Sequence, residues 1–388
     1  MLDFLLKKCV RQTDNRADYR KRVGVFTGIF NIICNLILFV AKLFVGILSA
    51  SVAVTADAFN NLSDCGASLV TLVGFSLAAK APDKKHPFGY GRAEYIAGAV
   101  ISVLILLVGV EFVSSSVGQI FSPQTIDFSL PMAIVLVAAI AVKLFMWYAN
   151  THFGKALGGS ATLSATAFDS LADVATTTVA LLSLILSRFT SLPIDGYLGV
   201  VIAIVVVVGG FKVLLDTINP LLGQPPDREM VAQLRALALS YPEIVGIHDI
   251  MVHNYGPSRT IASLHAEVPA NHDIIYAHEV IDRAEREIAQ KLNITVIIHL
   301  DPLVTDDKRV NEVREEVNEC LREIHPHYSM HDFRMLDGKQ QINLLFDVLL
   351  PFGLEKEDEE ILNEINQKLH EKDPRYYPII TLDRSFIG

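Results

Sequence analysis

Asn60-Asn61-Leu62-Ser63-Asp64 lies in the middle of an apolar run, residues 51–79, and Asp169-Ser170-Leu171-Ala172-Asp173 in another, residues 161–187. Each stretch sets two oxygen-bearing side chains at i and i+4, so on a helix both project from one face. A carboxylate at the bilayer midplane costs about 2.5–3.5 kcal/mol on insertion scales. Asp64, Asp169 and Asp173 therefore need a partner, and a cation held between the two helices supplies one. Asp57, at i−7 from Asp64, falls on the same face.

The chain around these stretches has 388 residues, 51% of them hydrophobic. The apolar residues are concentrated between residues 23 and 216, and a charged region follows from residue 223. This division predicts a cytoplasmic N-terminal segment 1–22, a membrane domain 23–216 and a soluble region 223–388. A span needs about 20 apolar residues. Six runs qualify: 24–48, 51–79, 94–119, 130–151, 161–187 and 194–215. The net charge of −10 comes largely from the soluble half and gives no sign of nucleic-acid binding. The four cysteines are scattered, which argues against a disulfide framework or a zinc knuckle.

Basic residues set the orientation. Lys7, Lys8, Arg11, Arg16, Arg20, Lys21 and Arg22 precede the first span, Lys80, Lys84, Lys85 and Arg92 follow the second, and Lys155 follows the fourth. The opposite loops hold Arg188 alone. Both termini are accordingly expected in the cytoplasm, in a multi-pass protein of the cell (inner) membrane. Depth then becomes testable. Asp64 is 13 residues from the start of its run and Asp173 is 14 residues from the end of its own. At about 1.5 Å per residue both lie roughly 20 Å below the outer end.

Asn60, Asp64, Asp169 and Asp173 thus give four oxygen donors that can converge. An oxygen-only set suits a hard cation such as Mn²⁺, Mg²⁺ or Ca²⁺, whereas zinc or copper sites usually include His or Cys. Interhelical hydrogen bonding is the plainer role for polar residues in spans, but acids at i and i+4 repel unless protonated or compensated. No basic partner is expected, because Lys143 in the fourth span reads as snorkelling to the cytoplasmic surface. Glu111, in the third span, is a separate intramembrane acid with no assigned role.

The soluble region reads helix 227–240, strand 247–254, strand 260–268, helix 274–292 and strand 295–300, a small α+β sandwich. Its second half repeats the first. Ile247-His248-Asp249-Ile250 matches Met330-His331-Asp332-Phe333 at an offset of 83, and Ile297-Ile298-His299-Leu300-Asp301 matches Ile379-Ile380-Thr381-Leu382-Asp383 at 82. Two tandem copies are expected, 223–305 and 306–388. The first carries His248, His265, His278, His299 and Asp301, a His-carboxylate set that suits a Zn²⁺-type transition-metal site.

Taken together, these features resemble the cation diffusion facilitator family. The loop His86-Pro87-Phe88-Gly89-Tyr90-Gly91-Arg92-Ala93-Glu94 is similar to that family's HPxGxGRxE signature, and the two Asn/Asp-x-x-x-Asp pairs match its transport motif. The resemblance implies six transmembrane helices, a ferredoxin-like cytoplasmic domain and a homodimer that exports divalent cations in exchange for protons by alternating access. It implies no enzymatic activity. Asp169 stands where zinc-transporting members usually have His, which resembles the manganese-transporting branch. The alternatives are Zn²⁺, Fe²⁺ or Co²⁺ as the main cargo, or a metal-sensing membrane scaffold without transport. The resemblance also implies the cytoplasmic metal site already named, with Zn²⁺ as one possible occupant. It further implies a loop site at Asp83 and His86 that is weakened by Tyr90, and a dimer-stabilising salt bridge between Arg92 and Asp216.

Overall fold

The computed structural model describes residues 16–48, 52–121, 130–186 and 194–384, apart from residues 339, 352 and 355. The side chain of Asp57 and the basic residues before residue 16 lie outside the described set. The chain divides into two units. One comprises the helical part to Gln224 together with Asn254–Arg259, and the other comprises Pro225–His253 and Thr260 onward.

The helical unit has six long helices among its described residues: α1 (Arg16–Leu48), α2 (Val52–Ala78), α3 (Ala93–Phe121), α4 (Leu130–Ala156), α5 (Ala161–Leu186) and α6 (Ile194–Leu222). Among the described residues, all but α5 are long and apolar enough to cross a membrane. The helix that does not is the one carrying Asp169 and Asp173. Large apolar side chains such as Ile33, Phe44, Leu107, Val205 and Val208 are exposed around the unit. Polar residues are turned inward, as expected when lipid surrounds the bundle. Asn31 on α1 and Asn150 on α4 exchange amide hydrogen bonds of 2.9 and 3.1 Å, and Thr71 on α2 lies 3.2 Å from Thr166 on α5.

Helix α1 begins at Arg16, so the expected boundary at residue 22 falls inside it. Arg20 is buried there. It forms a two-pronged ion pair with Glu94 at the start of α3, at 2.6 and 3.2 Å, and its other donors reach the carbonyls of Leu157 and Gly159. Ser160 donates to the same Glu94 carboxylate at 2.6 Å. One ion pair therefore ties α1, α3 and the α4–α5 connection together.

The soluble unit starts with α7 (Arg228–Ala238). It continues through β1 (Gly246–Asn254), β2 (Thr260–Pro269), α8 (Ile274–Leu292) and β3 (Thr295–Leu303), then α9 (Lys308–Ile324), β4 (Ser329–Asp337), β5 (Ile342–Leu350), α10 (Asp358–Lys372) and β6 (Tyr376–Arg384). Its two three-stranded sheets have orders β1-β2-β3 and β4-β5-β6. In each, the last two strands run parallel. Asp273 and Asp307 cap α8 and α9 by accepting from backbone amides two and three residues on. Each sheet buries one face. Ala262, Leu264, Ala266, Val268, Val296 and Ile298 pack against α7 and α8, and Ile342, Leu344, Phe346, Val348 and Leu350 pack in the second core. Strand period two then sends His265, His299 and Asp301 to the opposite face of the first sheet.

Candidate metal centres

In the helical unit, α2 and α5 bring Asp64, Asp169 and Asp173 together. One carboxylate oxygen from each lies within 4.8 Å of the others. Asn60 is half-buried one turn before Asp64 on the same helix face. The three acids of the two sequence pairs therefore stand together. Their charge compensation differs from the expectation. Lys143 does not snorkel: its side chain is 3% exposed, and its Nζ donates to Asp64 Oδ2 at 2.6 Å and to an oxygen of Asp173. The attraction of the acids outweighs both the cost of desolvating the ammonium and the pull of the headgroup region. Lys143 belongs to the buried α4 stripe of Leu136, Ala139, Met146, Asn150 and Phe153, and that spacing is the signal by which it could have been placed inward. Lys42 on α1, also overlooked as a basic residue within a span, is fully buried too. Glu111 is exposed on α3, away from the bundle interior.

The loop after α2 is a hydrogen-bonded turn. Asp83 accepts from Tyr90 Oη at 2.7 Å, from Lys80 Nζ at 2.9 Å, and from the amides of Lys85 and His86. The Tyr90 and Lys80 bonds hold its carboxyl well below the usual carboxylate range. Those bonds occupy the lone pairs that a metal would need. Asp83 and His86 join no three-ligand cluster among the described residues.

Arg92 does not pair with Asp216 within the chain. Its guanidinium donates to the carbonyl of Asn254 at 2.8 and 3.0 Å and lies over the Tyr255 ring, while Asp216 is exposed. Phe88 stacks on Tyr255 with ring centroids 4.4 Å apart. A Cβ on Gly91 would meet the Tyr255 carbonyl at 2.6 Å, so only glycine permits this approach.

In the soluble unit Asp301 is the hub of the first sheet. His265 Nδ1 lies 2.8 Å from it, His299 Nε2 3.2 Å and His248 Nε2 3.3 Å. The register pairs His265 with His299 on adjacent strands. Burial opposes the charged form of His248, but the hydrogen bond and charge of Asp249 outweigh it and raise the imidazole above its usual range. His278, expected in this set, is exposed on α8 and outside the cluster, because helix and strands present their side chains to different faces. A further grouping was not anticipated: Asp249, His331 and Asp383 also converge. Burial and the neighbouring charges of Asp249 and Asp347 push the Asp383 carboxyl upward. The signal was present in the repeat offsets, which align His331 with His248 and Asp383 with Asp301.

The cation efflux transmembrane domain model matches residues 29–222, and the model for the cytoplasmic domain of cation efflux proteins matches residues 226–303. The chain belongs to this family of membrane transporters for divalent metal cations, the cation diffusion facilitators. It is 27% identical over 274 residues to the uncharacterized transporter MJ0449 of Methanocaldococcus jannaschii, covering 70% of this chain and 96% of that protein. It is 24% identical over 301 residues to the manganese efflux system protein MneP of Bacillus subtilis, covering 74% and 98%. It is 25% identical over 274 residues to the zinc transporter ZitB of Escherichia coli, covering 69% and 85%.

Proposed function

We propose that the protein exports Mn²⁺ from the cytoplasm in exchange for protons, as a homodimer of six-span protomers working by alternating access. The observation that carries this reading is the convergence of Asp64, Asp169 and Asp173, with Asn60 one turn away, inside the helical unit. This set contains oxygen donors and no imidazole or thiolate, which favours a hard cation over zinc. The likeness to a manganese efflux protein supports the same cargo, while the comparable likeness to a zinc transporter keeps Zn²⁺ as the second reading.

In this mechanism the carboxylates bind either the metal or protons. Competition at one shared site is enough to couple the two gradients. Lys143 compensates part of their charge and holds Asp64 and Asp173 in place between ions. The cluster around Asp301 binds metal on the cytoplasmic side and biases the dimer. The two halves of the soluble unit are tandem copies of one ferredoxin-like fold, and both termini face the cytoplasm at the inner membrane. The loop at Asp83 and His86 plays a structural part.

The test is uptake into proteoliposomes with an imposed pH gradient, comparing Mn²⁺ with Zn²⁺. Gradient-dependent Mn²⁺ flux that disappears in Asp64→Ala and Asp173→Ala, both still folded, is the expected result. Normal flux in either variant defeats the site, and Zn²⁺ flux without Mn²⁺ flux defeats the cargo.

A further inference from the structure

The second half of the soluble unit has changed part of the first half's metal-binding face. Asp347 and Thr381 pair across β5 and β6 where the first sheet pairs His265 and His299. It keeps His331 and Asp383, and His331 meets the first half directly. Its ring stacks on His248 with centroids 4.3 Å apart and an interplanar angle of 25°. Equivalent residues meeting face to face are what an approximate two-fold axis between similar units produces.

Beside this stack stand Asp249 from the first half and Asp383 from the second. His331 Nε2 is 3.7 Å from Asp249 Oδ1 and 3.8 Å from Asp383 Oδ2. Those separations are too long for hydrogen bonds. Two ligand atoms about 2.1 Å from one tetrahedral ion stand about 3.4 Å apart, much closer to what is seen. The His331 side chain is 9% exposed, and neither ring nitrogen has a hydrogen-bond partner. A buried imidazole left unsatisfied at both nitrogens is costly, and the carboxylates flanking it repel each other. A cation would satisfy all three groups. The backbone is shaped for the arrangement. Asp249 has φ +48°, its counterpart Asp332 has φ +52°, and the β4–β5 register shifts between His331 and Arg334. A cavity of about 210 Å³ opens beside Asp249 and His331, with His248, Ser329, Arg235 and Arg384 also in its wall.

We propose that Asp249, His331 and Asp383 form a divalent-metal site between the two halves of the soluble unit, with the second half supplying two of the three protein ligands. One imidazole and two carboxylates suit a transition-metal dication of the Zn²⁺, Co²⁺ or Mn²⁺ kind. Asp249 also joins this site to the first-half cluster, since its Oδ2 lies 3.2 Å from His248 Nδ1 while its Oδ1 faces His331. A bound ion cross-links the halves, which makes the second half a metal-dependent clamp within one chain.

The experiment counts metal on the full chain in detergent, stripped and then reloaded with Co²⁺ alone. Bound ion is read by elemental analysis and by the visible Co²⁺ absorption. His331→Gln and Asp383→Asn are each expected to lose one Co²⁺ per chain, and the double variant no more than either single one. Asp383→Asn preserves shape and guards against loss through misfolding. An unchanged count in both single variants overturns the inference, as does loss of the ion only together with loss of the folded gel-filtration peak. Asp173→Ala is measured alongside. It is expected to keep this ion, so failure of the transport reading is seen separately in flux.

Discussion

Lys143 Nζ lies 2.6 Å from Asp64 Oδ2, which joins α4 to the acids of α2 and α5 inside the helical unit. Two carboxylates within 4.8 Å of each other repel by about 3.5 kcal/mol at an effective dielectric constant of 20. The ammonium offsets part of that repulsion, so the three acids can stay together before an ion arrives. The lysine is therefore both a structural partner and an internal competitor for the metal.

Replacing it separates those roles. Lys143→Gln leaves buried carboxylates without their cation, and breaking a buried pair in this way costs about 3–5 kcal/mol. The variant is expected to melt several degrees below the wild type without metal and to gain more from added Mn²⁺ than the wild type does. Thermal unfolding in detergent, with and without Mn²⁺, reads both effects. Equal melting temperatures in the metal-free state would show that Lys143 is not compensating the acids.

The donor set also predicts selectivity. Asp169→His puts an imidazole among the oxygens and favours a softer ion. The Zn²⁺ to Mn²⁺ flux ratio is expected to rise at least about tenfold, equivalent to about 1.4 kcal/mol. An unchanged ratio in matched proteoliposomes would remove the ligand-hardness argument for manganese.

The helices and the three clustered acids were legible in the sequence because a bilayer imposes a length on apolar runs and a helix imposes a fixed period on its faces. The strand pattern was legible for a similar reason, since period two puts His299 and Asp301 on one face of their strand. Long side chains were harder to read. Lys143 has four methylenes and can point to either end of its helix, so only the buried stripe it shares with Asn150 favoured the interior. Arg20 counted as a surface charge but closes on Glu94, a residue 74 positions away that no local pattern links to it. His278 lies apart for a different reason: within one chain its helix turns it to solvent, away from the strands that carry the other four residues.

The Arg20–Glu94 pair yields a stability prediction. Both side chains are nearly inaccessible, and Ser160 shares the carboxylate. Glu94→Ala leaves the Arg20 guanidinium buried without its anion, at a cost of about 3–5 kcal/mol. The variant is expected to show a strongly reduced yield of monodisperse protein and a lower melting temperature. Wild-type thermal stability would place the pair among those that contribute nothing.

Gly91 gives a steric prediction. A methyl group there would press on the Tyr255 carbonyl, next to Gly256, whose φ of +122° already requires glycine. Gly91→Ala is expected to loosen residues 254–259 from the loop after α2, exposing that segment to limited proteolysis while the helices stay folded. Unchanged cleavage between Asn254 and Arg259 would mean that the loop yields without cost.

The charge at the membrane cluster predicts how exchange responds to voltage and pH. Counted with all three carboxylates ionised, the cluster carries two negative charges beyond the one ammonium that touches it, matched by one divalent cation or by two protons. If the site always leaves one face neutralised and returns from the other neutralised, two protons cross for each metal ion and no net charge moves. Flux is then expected to be insensitive to a potassium-diffusion potential and to stop when the pH gradient is collapsed. Protons compete with metal for the same oxygens, so apparent affinity rises with pH on the loading side and falls as that side is acidified. Transport-coupled current on an electrode-supported bilayer would contradict this balance. It would mean that Lys143, or the buried Lys42, gives up its own charge during the cycle.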